Sequence, residues 1–182
     1  MNLDREIEQI HVEMRLFEEW VDDQGVWTIG AGFVDGELLQ GQALNAYFAK
    51  AHAGGFADRA KALNGYFAAV RISAGRLEVV TDRIRTYPLF YGLAGDRLVL
   101  SDDARFVQSE CGTTSADPVG QAEFLRTAQV VTGRNTLFLG LHQLQAAESL
   151  VFERQRVPTS TRWIDYRHHE NADLGRDELL ER

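Results

Sequence analysis

Hydrophobic and polar positions change period several times along the 182 residues. In the first segment apolar residues recur at Leu3, Ile7, Ile10, Met14, Phe17 and Val21. Asp4, Glu6, Glu8, Glu13, Glu18 and Glu19 occupy the positions between them. Steps of four and three keep one stripe on one side of a helix, so the spacing predicts an amphipathic helix over 1–22. Such a helix packs on its own domain or docks on a second copy. About three heptads are short for a free coiled coil. Asp22-Asp23-Gln24-Gly25 reads as a turn, 26–33 as a strand, and Asp35-Gly36 as a second turn. Residues 38–53 read as a helix stopped by Gly54-Gly55, with a short second helix over 57–63.

The middle of the chain turns to alternation. Strands are predicted over 66–72 and 77–81, joined at Ser73-Ala74-Gly75, and over 88–91 and 97–100, joined at Ala94-Gly95-Asp96. Helices follow over 102–108 and 121–128, with strands over 136–138 and 149–153. Val157-Pro158-Thr159-Ser160-Thr161 reads as a loop, and the polar stretch 167–182 as a helix. Short antiparallel strands with helices before and between them imply an α+β layered sandwich. No internal repeat or low-complexity stretch interrupts it.

Composition narrows the function classes. A hydrophobic share of 45% with 25% charged residues fits one globular domain. The net charge of −8 argues against a nucleic-acid partner, which would select a basic face. One cysteine, Cys111, permits neither an internal disulfide nor a cysteine-based metal site. No apolar run approaches the roughly 18 residues of a membrane helix, and the acidic start does not read as a signal peptide. A cytoplasmic protein with no membrane partner is the expectation.

Five segments occur in a telling order. They are Leu63-Asn64-Gly65-Tyr66-Phe67-Ala68; Asp82-Arg83 followed by Pro88-Leu89-Phe90-Tyr91; Leu98-Val99-Leu100-Ser101-Asp102; Thr136-Leu137-Phe138-Leu139-Gly140-Leu141; and Trp163-Ile164-Asp165-Tyr166. Together they resemble the glutaminase-type N-terminal half of asparagine synthetases, with beta-lactam synthetases and lasso-peptide cyclases as relatives. The resemblance implies an N-terminal nucleophile hydrolase-like αββα sandwich of two antiparallel sheets over 1–166. It makes 167–182 a linker helix toward a synthetase domain.

Departures from the family pattern shape the functional expectation. The resemblance places the nucleophile of active members, a cysteine, at the mature N-terminus, where its own α-amino group is the base. Here Met1 is followed by Asn2, and Cys111 is internal. The family's Asn-Gly-Glu would fall near Gly30-Ala31-Gly32, which supplies neither asparagine nor glutamate. Its arginine and Gly-Ser-Asp glutamine-binding elements have no clear counterpart. Its Pro-Gly is replaced within Gln145-Ala146-Ala147-Glu148, which suggests a changed loop. No catalytic residue is therefore assigned. The expected role is a glutaminase-inactive domain supporting an ATP-dependent amide-forming domain or subunit, covalent or separate. The chain itself takes no cofactor; ATP and magnesium belong to that partner, since no glycine-rich phosphate loop is present here. The alternatives are a free-standing dimeric binding protein, and an active amidotransferase with a different start.

Six residues are candidates for structural or interdomain roles: Asp82, Arg83, Arg85, Pro88, Tyr91 and Asp102. The first three read as an ion pair fixing the turn before Pro88, or as a contact for the synthetase domain. Asp102-Asp103 reads as a cap for the following helix, or as a cation site. His168-His169-Glu170 is the densest group of potential ligands, but adjacent side chains diverge, and a solvated linker is the simpler reading. His142 reads as a partly buried histidine, and His11 and His52 as surface residues.

Overall fold

The computed structural model describes residues 3–7, 9–128, 133–153 and 156–165, with side chains from residue 9 onward. The expected helix over 1–22 is replaced by strands. β1 (Leu3–Ile7) and β2 (Ile10–Met14) form an antiparallel hairpin, and β2 then pairs in parallel with β9 (Arg97–Ser101). The reason is tertiary. Ile10, Val12 and Met14 point into the space between the sheets, while His11 and Glu13 are buried on the opposite face. His11 meets the edge of Phe106 at 5.3 Å between ring centroids. A strand covered on both faces loses the polar alternation that marks an exposed one. The four-and-three spacing thus runs through β1, β2, the connection that follows and the first residue of β3 (Val21–Asp23).

The remaining strands build two sheets. The first runs β1-β2-β9-β8-β10, with β8 at Phe90–Ala94 and β10 at Leu141–Gln143. The second takes β3 (Val21–Asp23), β4 (Val26–Val34), β6 (Asn64–Ser73), β7 (Arg76–Thr81), β11 (Glu148–Glu153) and β12 (Thr159–Arg162). Its order is β12-β11-β7-β6-β4-β3, and β5 (Glu37–Gln40) pairs with β4. The stretch expected as one helix over 38–53 is divided between β5 and α1 (Gln42–Ala49). Gly41, at φ +55°, separates them. Residues 136–138 form no strand, only bridges at Ala116–Phe138 and Asn135–His142 nearby. The loop expected over 157–161 contains β12. The linker helix expected over 167–182 and His168-His169-Glu170 lie outside the described residues.

Side-chain contacts define the layers. The largest core cluster joins Ile10, Val12, Leu98 and Leu100 of the first sheet to Trp27, Ile29, Val70 and Val79 of the second. A second cluster seats Leu44 and Phe48 of α1 with Phe56 and Ala60 of α2 (Phe56–Ala62) on the outer face of β4, β6 and β7. A third seats Phe106 and Val107 of α3 (Ala104–Glu110) on the outer face of the first sheet. The order is α, β, β, α, the expected sandwich, with one parallel strand pair in place of a wholly antiparallel first sheet. α4 (Pro118–Thr127) lies at the surface with only Gly120 buried.

The β6–β7 hairpin closes through Ala74 and Gly75, at φ +48° and +76°. Two successive positive φ values make a type I′ turn, which favours asparagine before glycine. Ala74 carries a Cβ in this region and is exposed. Ala74→Asn is expected to stabilise the fold by about 0.5–1 kcal/mol. Thermal unfolding of the two proteins checks this; an unchanged or lowered midpoint would count against the turn assignment.

Candidate functional site

Asp82 directly follows β7 and is fully buried. Its carboxylate accepts from the Phe67 amide on β6 at 3.0 Å, from the Ile84 amide at 2.8 Å and from the Thr86 amide at 3.1 Å. Its backbone carbonyl accepts from the Ala147 amide at 2.7 Å. The expected ion pair with Arg83 or Arg85 is not the device that fixes this turn; backbone amides are. Arg83 instead donates to Asn64 Oδ1 at 3.0 Å and the Lys61 carbonyl at 3.2 Å. Arg85, at φ +60°, donates to Gln143 Oε1 at 2.6 Å. The turn therefore holds Arg85 toward β10 while presenting Arg83 and Ile84 outward.

Asp102 is the equivalent anchor for the first sheet. It directly follows β9, is fully buried, and accepts from the amides of Arg15, Leu16 and Phe17 at 2.7, 3.2 and 3.2 Å. Trp20 Nε1 adds a fourth donor at 3.1 Å. It is not the helix cap; Asp103 caps α3 by accepting from the Arg105 amide. Among the described residues no group of three carboxylate, imidazole or thiol side chains is placed to hold a metal ion.

Pro88 is half-buried between the turn and β8, and leads into the buried Leu89. Tyr91 is buried and lies against the His142 ring at 5.3 Å between centroids. Burial holds the Tyr91 phenol above its usual range, against the opposing pull of the Arg134 guanidinium. Burial, with Arg134 adding to it, lowers His142. Cys111 closes α3 and packs with the cluster outside the first sheet, its Sγ against Gly92. Burial pushes its thiol up to about 11.

A hollow of about 460 Å³ opens where β4, β5, β6 and the 82–86 turn meet. Ala31, Gly32, Gly65 and Asn64 form its base, Phe33, Leu38, Tyr66 and Ile84 its sides, and Arg83 one rim. Strand register assembles it: Phe33 pairs with Leu38 on one side and Asn64 on the other, and Ala31 with Tyr66. Gly65 permits the close approach, since a Cβ there would lie 2.2 Å from the Ala31 carbonyl oxygen. The segment 30–32, the Leu-x-Gly segment and the Asp-Arg segment thus converge on one pocket. Asn64, Arg83 and Tyr66 are its hydrogen-bonding side chains; no thiol, imidazole or carboxylate lines it among the described residues. Such a set can bind and orient a ligand but holds no group suited to accept a proton at neutral pH. Asp82 and Arg83 are legible as candidates in the sequence; Phe33, Leu38, Tyr66 and Ile84 are not. Four apolar residues marking one hollow are visible only after the register is known.

No protein-family model matches the chain, and no curated protein matches it. Among solved structures it is similar to the glutamine phosphoribosylpyrophosphate amidotransferase of B. subtilis complexed with ADP and GMP. The identity is 14% over 79% of this chain and 30% of that one, with a TM-score of 0.47. A structure described as the allosteric regulatory enzyme of purine biosynthesis gives 14% identity, 80% and 30% coverage, and 0.47. The chain spans 30% of the length of these two proteins. Similarity of this degree transfers no residue role. Among the described residues no helix is long and apolar enough to cross a membrane.

Two outcomes follow from these environments. Asp102→Asn replaces two acceptor oxygens by one and sets an NH2 against backbone donors, so a loss of about 2–4 kcal/mol in unfolding free energy is expected. Denaturant titration measures it, and a loss below about 0.5 kcal/mol would contradict the anchoring role. Cys111, raised to about 11, stays a neutral thiol at pH 8. Since the thiolate is the nucleophile, iodoacetamide should label it far more slowly than an unhindered thiol there, and faster as pH climbs toward 11. Rapid labelling of the folded chain at pH 7 would contradict this environment.

Proposed function

We propose that this chain is an asparagine-synthetase-like amidotransferase domain that does not hydrolyse glutamine. Its role is to support an ATP-dependent amide-forming domain or subunit, which supplies the ATP and magnesium sites. The observation that carries the reading is the chemistry of the hollow. Two of the five segments that resemble the family, 63–68 and the Asp82-Arg83 segment, meet there, and its described lining offers Asn64, Arg83 and Tyr66 but no thiol or carboxylate. The one cysteine belongs to the other sheet's outer cluster and keeps its proton at neutral pH. Exposed apolar side chains on α4, Val119 and Leu125 at 61% and 82%, are consistent with a surface that a partner covers. The dimer alternative loses its motive, because the heptad-spaced segment forms strands.

Purified protein incubated with L-glutamine is expected to release glutamate at the rate of a buffer blank, and Cys111→Ser to match it. Glutamate above the blank that disappears in Cys111→Ser would overturn the inactive reading. The native particle that carries this domain is expected to release pyrophosphate from ATP. A particle of only 20.5 kDa without that activity would contradict the supporting role.

A further inference from the structure

Four large apolar side chains around the hollow are each more than half exposed: Phe33 at 51%, Leu38 at 51%, Tyr66 at 60% and Ile84 at 66%. Scattered exposed apolar residues are ordinary, but four facing one concavity are not. Its volume of about 460 Å³ falls within the ~300–1,000 Å³ typical of small-ligand sites. The backbone beneath is fixed. Gly30, at φ +95°, leaves no room for a side chain, since a Cβ would lie 2.0 Å from the Tyr66 carbonyl oxygen. A hollow held by paired strands keeps its shape when empty, which lowers the ordering cost of binding.

Charge selects the occupant. Arg83 is the ionised side chain that lines the hollow, and no Asp or Glu lines it among the described residues. In a chain of net charge −8 this is a local inversion of sign. Asn64 and the Lys61 carbonyl each take one donor of the guanidinium, fixing its plane. A guanidinium has five donors, so others remain for a carboxylate. An ammonium finds no counter-ion there, which disfavours a zwitterion such as a free amino acid. We propose that the hollow binds a small apolar monocarboxylate, an aromatic or medium-chain acid without an α-ammonium, with its carboxylate on Arg83 and its body against Phe33, Leu38, Tyr66 and Ile84. This rests on the reading that the pocket no longer serves glutamine.

The test uses the whole chain with octanoate and phenylacetate as probes, compared with 1-octanol, octylamine and L-glutamine, by ligand-observed NMR titration. Saturable binding of octanoate is expected, with 1-octanol about tenfold weaker and with octylamine and glutamine silent. Arg83→Gln, with an unchanged circular dichroism spectrum, is expected to bring octanoate down to the level of octanol. Ile84→Asp should abolish binding, while Arg126→Gln on α4 leaves it intact. Equal binding of octanoate and octanol, an unaffected Arg83→Gln variant, or no saturable probe at all would overturn the proposal. So would self-association that Ile84→Asp removes without any probe binding, which assigns the face to a second copy. Glutamate formation would sink the inactive reading whatever the probes do. Silent probes in a chain without glutaminase activity would sink only this one.

Discussion

The Asp82 carboxylate is the constraint on which the candidate site depends. It is fully buried, and three backbone amides converge on it, one from β6 and two from the turn that follows. A buried carboxylate is costly unless its oxygens are satisfied, and unsatisfied amides are costly in turn. Each therefore requires the other, and the turn has little freedom. Its fixed shape sets Arg83 beside Asn64 and Ile84 beside the hollow, while Arg85 reaches back to Gln143. The carbonyl of the same residue holds Ala147, and the Ala147 carbonyl accepts from the Trp163 amide at 2.8 Å. One residue thereby couples the end of β7, the pocket rim and the closing segment of the chain.

Asp102 repeats the device across the sandwich. It follows directly on a strand, lies buried and gathers three consecutive amides from the chain leaving β2, with the Trp20 indole as a fourth donor. Two sheets packed through apolar side chains alone would tolerate sliding, because dispersion and burial are non-directional. Directional bonds to carboxylates at strand ends fix where each connection leaves its sheet. A buried polar group costs stability when half satisfied, so these two positions are the least tolerant of change.

The sequence disclosed the features that depend on near neighbours. Ala74-Gly75 and Gly95-Asp96 mark their hairpins because positive φ is a local demand. The order of the five segments announced the αββα layering. Features set by distant neighbours are not legible in the sequence. Ile10 and Met14 fall on a helical stripe in the sequence, but β2 is a strand paired with β1 on one side and β9 on the other. Asp82 and Asp102 stand out in the sequence but their partners do not: an aspartate beside an arginine suggests an ion pair and one before a helix suggests a cap, whereas backbone amides bind both. Ala147 adopts φ +54° within the stretch that departs from the family's Pro-Gly, so an alanine accepts a backbone shape that glycine holds at less cost. The hollow was invisible because its walls come from three strands and a turn.

Amide hydrogen exchange on Asp82→Asn compared with the unaltered chain tests the organising role most directly. The Ile84 and Thr86 amides are expected to be protected in the native protein and to lose that protection in the variant, with β9 remaining protected. Ile84 and Thr86 amides that exchange equally in both proteins would show that the carboxylate does not hold the turn, and the description of the site would fail with it.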